Sequence, residues 1–173
     1  MNGNCYHLTY KKGLFVCHVS GGQFTYKKIA ESTWAHTRAS GYVGNGLVLT
    51  VYKDCCYQIN VKTGKHKKLK ANNWDATKGG VVYKGAMYAF GSWGCFRIDP
   101  NTGNDTKLTG HNCSDMIGGV ARINNCAYWV GVGGVHELNL DTGKYRLVKK
   151  EGKTCWNKAR AINAYNGKLY VCY

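Results

Sequence analysis

The sequence predicts an all-β fold, a β-propeller of about four four-stranded blades. Three observations predict it: a repeat of about forty residues, strand-forming runs broken by glycine turns, and a composition suited to short strands. The turn recurs as Val19-Ser20-Gly21-Gly22, Val61-Lys62-Thr63-Gly64, Asn101-Thr102-Gly103 and Asp141-Thr142-Gly143, and a tryptophan follows it at Trp34, Trp74 and Trp156. Of 173 residues 23 are glycine and one is proline, with 13% aromatic, a mix that argues against disorder. One domain over 1–173 accommodates repeats at about 1–38, 39–78, 79–118 and 119–158, with 159–173 completing a terminal blade.

Each repeat divides into four strands, a to d from the axis outward. In the second full unit, strand a lies near Gly80-Val81-Val82-Tyr83 and strand b spans 86–90. Strand c spans 95–99 and strand d spans 104–108. Strand c alternates: Phe15, Tyr57, Phe96 and His136 form one column, and Cys17, Ile59, Ile98 and Leu138 another. Both columns are expected to pack between blades, while Val16, Gln58, Arg97 and Glu137 face the other side. Strand b occurs a fifth time, because 4–8 aligns with 125–129, so the chain begins b-c-d and ends a-b at 168–172. These offset ends predict one blade assembled from both termini, which would remove two free sheet edges. The alternatives are five blades, one of two strands and one of three, or an oligomer in which the surplus strand pairs with another subunit.

The formal charge is +15, from 24 Lys and Arg against 9 acidic residues. Such a balance points either to an acidic partner or to a solvated rim. Lys27-Lys28, Lys65, Lys67, Lys68, Lys70, Lys107, Arg146, Lys149 and Lys150 fall in or beside strand d, the outer edge where lysines discourage sheet-to-sheet pairing. No sequence-reading nucleic-acid motif accompanies them. The nine cysteines are odd in number and include no CxxC pair. Cys17 aligns with Ile59, Ile98 and Leu138, and Cys56 and Cys95 align with Leu14 and Val135, so they read as core residues in a reducing compartment. Cys55-Cys56 and His111-Asn112-Cys113 lack a second pair at ligand spacing, and no metal or cofactor is expected. No apolar run approaches a membrane span, and the amino terminus lacks a basic segment followed by an apolar one. A cytoplasmic location without membrane insertion is therefore expected; Asn104 and Asn112 head glycosylation sequons that matter only in a secreted chain.

Asn166-Gly167-Lys168-Leu169-Tyr170-Val171, with an aromatic-x-hydrophobic strand and Asp99-Pro100-Asn101-Thr102-Gly103 in another repeat, resembles kelch-type β-propeller repeats over almost the whole chain. The chain also resembles divergent lectin propellers. The resemblance implies a propeller fold and a binding role, toward proteins such as actin or toward glycans.

The loop from strand d into the next strand a is the most regular feature outside the strands. Trp34, Trp74 and Trp156 are each followed four residues later by a cation, Arg38, Lys78 and Arg160, with His36, Asp75 and Asn157 in the same loops. The copy at 112–118 has lost both Trp and cation. Entry into strand a is the innermost point of a blade, so the three cations are expected around one mouth of the axis. Two readings stand: each indole seals one blade to the next, or it stacks on a sugar while the cations hold anionic or hydroxyl groups. No nucleophile–base pair, paired carboxylates or phosphate loop stands out, so no catalytic residue is assigned. The function expected is a non-enzymatic, multivalent, lectin-like module binding carbohydrate, neutral or acidic, through the Trp-x-x-x-Arg/Lys loops. The alternative is a kelch-like interaction module for an acidic protein partner such as actin.

Overall fold

The computed structural model describes residues 3–9, 13–30, 34–150 and 156–172. β1 (Gly3–Thr9), β2 (Gly13–Ser20) and β3 (Gln23–Ala30) form a three-stranded sheet. Three four-stranded sheets follow. The first contains β4 (Thr37–Gly44), β5 (Leu47–Tyr52), β6 (Cys55–Asn60) and β7 (His66–Ala71). The second contains β8 (Thr77–Tyr83), β9 (Ala86–Gly91), β10 (Gly94–Ile98) and β11 (Asp105–Thr109). The third contains β12 (Ile117–Ile123), β13 (Cys126–Gly131), β14 (Gly134–Asn139) and β15 (Tyr145–Lys150). A short 3-10 turn (Trp156–Lys158) leads to the two-stranded sheet of β16 (Ala161–Tyr165) and β17 (Lys168–Cys172). Every pairing is antiparallel between chain neighbours. The result is a propeller-like all-β fold of about four blades. Among the described residues no helix is long and apolar enough to cross a membrane.

The blade shared by both termini does not form among the described residues. β1–β2–β3 and β16–β17 are separate sheets. The surplus strand b is the reason: β17 folds back on β16 as a hairpin and takes the position that β1 would have filled. Among the described residues the strands fall into one sheet of three strands, three of four and one of two.

Local chemistry repeats with the strands. Three a–b hairpins turn through Asn45-Gly46, Lys84-Gly85 and Asn166-Gly167, both residues of each pair at positive φ, the geometry that matches strand twist. In the three four-stranded sheets the c–d turn is built on one carboxamide or carboxylate each. Asn60 Oδ1 accepts from the backbone N–H groups of Lys62 and Thr63, Asp99 Oδ1 from those of Asn101 and Thr102, and Asn139 Oδ1 from those of Asp141 and Thr142, all at 2.8–3.0 Å. The glycine that ends each turn abuts the preceding sheet. A side chain on Gly103 would meet Leu69 Cβ at 2.7 Å, and one on Gly143 would meet the Leu108 carbonyl at 2.7 Å.

Inner strands β4, β8, β12 and β16 pack successively against one another, and β1 lies beside β4. Small residues permit the approach. A Cβ on Gly80 would lie 2.8 Å from Ala39 Cβ, one on Gly41 would collide with Val82 Cγ2, and one on Gly79 would lie 3.1 Å from Val120. Apolar clusters fill the spaces between neighbouring sheets. Leu14, Trp34, Val48 and Ile59 fill the first, and Leu49, Val51, Cys56, Trp74, Met87 and Ile98 the second. Phe90, Cys95, Cys113, Trp129 and Leu138 fill the third, and Val130, Val135, Ala159 and Ile162 the fourth.

Cys56 and Cys95 sit where their alignment with Leu14 and Val135 puts them, whereas Cys17 is half-buried although Ile59, Ile98 and Leu138 in its column are fully buried. Leu14, Cys56, Cys95 and Val135 are all buried in one column. Cys17, Cys55, Cys56, Cys95, Cys113, Cys126 and Cys172 are free thiols. Burial pushes the Cys56 and Cys113 thiols up to about 12 and also raises Cys95. Few thiolates form at such sites, so native protein treated briefly with iodoacetamide near pH 8 should be alkylated at exposed Cys172 and spared at Cys56, Cys95 and Cys113. Mass spectrometry of the peptides checks this; modification of the buried three without denaturant would contradict the packing.

Candidate functional site

The repeated tryptophans are placed by one backbone device. The carbonyls of Trp34, Trp74 and Trp156 accept from the N–H groups of Thr37, Thr77 and Ala159 at 3.0–3.1 Å, closing a tight turn before each inner strand. That turn drives the indole inward. Trp34 and Trp74 are only 4% and 2% exposed, and Trp156 is partly buried against the fourth cluster. Trp34 meets Tyr57 edge-on at 5.6 Å, and Trp74 meets Phe96 edge-on at 5.9 Å. These two rings are buried between sheets and leave no open face for a sugar.

The degenerate third loop keeps the device with a different residue. Met116 N–H donates to Cys113 O at 3.1 Å, so Cys113 stands where the indole stands elsewhere, one residue from the place that the forty-residue spacing assigns. The missing indole reappears on strand b. Trp129, opposite His136 in register, occupies the position of Thr50 and Ala89, which lie opposite Tyr57 and Phe96. It is fully buried and stacks on His136 at 5.2 Å with 8° between planes. His136 Nδ1 lies 2.7 Å from Tyr145 Oη, and its Nε2 lies 3.7 Å from Asp115 Oδ2. His111 stacks on Tyr145 at 3.5 Å, its pKa lowered by burial and then by His136. With His136 only 5% exposed, this cluster packs the blade rather than opening onto solvent. No group of three or more His, Cys, Asp or Glu among the described residues could hold a metal ion.

The cations occupy equivalent places at the start of their inner strands, and Arg38, Lys78 and Arg160 are all exposed. Arg38 is ion-paired with Asp75 from the next loop, and this contact holds the Asp75 carboxyl below its ordinary range. Arg38 and Asp75 are thus brought together across two sheets. His36 is exposed and lies edge-on to Tyr52 at 5.6 Å. The side chain of Asn157 lies outside the described residues.

Around Asp75 the loops form two adjoining open grooves. One of about 520 Å³ is lined by Lys53, Asp54, Ala71, Asn72, Asn73 and Asp75; the other, about 400 Å³, by Asn73, Asp75, Ala76 and Trp93. Trp93, in the turn between β9 and β10, is half-buried. Its ring is held edge-on by Trp74 at 5.3 Å and Phe96 at 5.2 Å. Asn73 Oδ1 accepts from Asp75 N–H at 3.1 Å, leaving its Nδ2 to donate elsewhere. Asn72 caps the loop, its Oδ1 accepting from Asn73 N–H at 2.8 Å and its Nδ2 donating to Asp105 at 3.3 Å. A propped indole beside a carboxylate, an amide and an ammonium is chemistry suited to hydroxyl-rich rings. Sequence reasoning passed over Trp93, whose signal was a tryptophan that the forty-residue repeat does not explain.

No family model matches the chain, and no curated protein matches it. Solved structures share its fold. A structural-genomics protein of unknown function from Bacteroides thetaiotaomicron is similar over 94% of this chain and 52% of its own, at 16% identity and a TM-score of 0.59. The extracellular domain of a putative hybrid two-component system from the same organism is similar over 97% of this chain and 23% of its own, at 15% identity and a TM-score of 0.57. The computationally designed Ika4 protein is similar over 85% of this chain and 98% of its own, at 12% identity and a TM-score of 0.57. The chain spans about half the length of the first of these and under a quarter of the second. At such identities the likeness is one of fold.

Replacing Trp74 by Ala should lower unfolding free energy by about 3–5 kcal/mol, the usual loss for a buried aromatic ring. Trp93→Ala, which removes a half-buried ring, should cost less than half of that. Urea denaturation of both variants reads the difference; equal losses would contradict the division between wedge and surface indole.

Proposed function

We propose that this protein is a non-enzymatic, lectin-like carbohydrate-binding module whose site is the loop groove of Trp93, Asn73 and Asp75, with Lys53 and Asp54 at its edge. One observation carries the reading: Trp34 and Trp74 are buried between sheets, while Trp93 lines an open groove shared with Asn73 and Asp75. The half-buried indole offers a surface to the apolar side of a pyranose ring. Asp75, kept ionised by Arg38, accepts from hydroxyls, and the Asn73 amide donates to them. The edge-on contacts from Trp74 and Phe96 fix the ring before a ligand arrives, which lowers the entropy lost on binding.

A glycan array on the wild type, Trp93→Ala and Asn73→Ala tests the reading. The wild type should bind a restricted set of glycans. Trp93→Ala should weaken that binding by about tenfold or more, in line with the energies of desolvated aromatic contacts. Absence of binding across the array, or undiminished binding by Trp93→Ala, would contradict it.

A further inference from the structure

The positive charge is not spread evenly among partners. Arg38, Lys70, Lys84 and Arg146 each meet a carboxylate, at Asp75, Asp105, Asp141 and Glu137. Lys62, Lys65, Lys67 and Lys68 are exposed and stand in no ion pair among the described residues. Lys62 and Lys65 line the cleft between the first two sheets, where the end of β3 meets the turn from β6 to β7. Two grooves meet there at Ile29. One, of about 620 Å³, is lined by Val16, Ile29, Tyr42, Asn45, Gly46, Val61 and Lys62. The other, of about 520 Å³, is lined by Ile29, Ala30, Thr63, Gly64, Lys65 and His66. No acidic side chain lines either.

We propose that this cleft binds the chain of an acidic polysaccharide, independently of the Trp93 groove. Two uncompensated ammonium groups on the β6–β7 turn, Lys62 and Lys65, suit a ligand that carries an anionic group on successive rings. The floor of Val16, Ile29 and Val61 suits the C–H faces of sugar rings, and Asn45, Thr63 and the backbone of the two turns supply hydrogen-bonding groups for hydroxyls. Single-stranded nucleic acid is held by successive open aromatic faces on which bases stack. This floor is aliphatic but for Tyr42, whose hydroxyl is engaged by Gly46 N–H at 3.0 Å. A flat lipid surface would not enter a cleft between two sheets.

The test is calorimetric titration with a heparin-derived octasaccharide and, separately, with an oligothymidylate of matched charge, at two salt concentrations. The variants are Lys62→Glu/Lys65→Glu, the charge-matched control Lys144→Glu/Lys168→Glu on later sheets, and Trp93→Ala; circular dichroism checks their fold. The wild type should bind the octasaccharide, more weakly at higher salt. The cleft variant should lose about tenfold or more, and the control about twofold or less, since only contacted cations release counterions. Trp93→Ala should keep wild-type affinity, which separates this site from the loop groove. No octasaccharide binding, equal losses in the two charge variants, a loss in Trp93→Ala, or binding of oligothymidylate as tight as that of the octasaccharide would overturn the proposal.

Discussion

Close packing of the inner strands is the constraint on which the rest of this molecule depends. β4, β8, β12 and β16 lie against one another because Gly41, Gly79 and Gly80 offer hydrogen where a side chain would meet Val82, Val120 or Ala39. Glycine weakens a strand considered alone, so its presence on three inner-strand positions marks a place where backbones must come near. Once the inner strands are close, each sheet splays from its neighbour, and a wedge-shaped space opens toward the rim. That space is what the buried tryptophans and strand-c columns fill.

The wedge tolerates exchange of residues as long as its volume is kept. Two sheets place the indole on the entry loop and a small residue on strand b; the third places Cys113 on the loop and Trp129 on the strand. Volume is conserved across the exchange while the side chain comes from a different element, as expected where interiors are packed to high density. The exchange also explains why the third loop appears erased in sequence although its backbone turn persists. Trp34 and Trp74, which repeat, are buried, whereas Trp93, outside the repeat, lines an open groove.

Much of the architecture was legible from the chain. The period of strand-forming runs located the strands, and the substitution of Cys56 and Cys95 for Leu14 and Val135 identified a buried column. The lysines of β3 and β7 marked outer strands of their sheets. Two features were not legible. Counting strands could not decide whether β16 pairs with β17 or with β1, because both candidates carry the strand-b pattern and the hairpin at Asn166-Gly167 resolves the competition locally. The candidate site was hidden more deeply. A Trp four residues before a cation reads equally as a wedge or a sugar platform, and only the inward turn at Trp34 and Trp74 distinguishes them. Nothing in the spacing brings Trp93 beside Asn73 and Asp75, since that juxtaposition comes from packing one sheet's turn against the loop that enters it.

The most direct measurement is a double-mutant cycle across the inner-strand contact, with Gly41→Ala, Val82→Ala and the pair compared by urea denaturation. A methyl at 41 in the wild-type background should cost about 1–3 kcal/mol, the usual effect of overpacking. In the Val82→Ala background the same methyl should cost at least about 1 kcal/mol less, because the group it displaces is gone. Additive effects, agreeing within about 0.5 kcal/mol, would contradict the claim that close approach of β4 and β8 sets the packing of the fold.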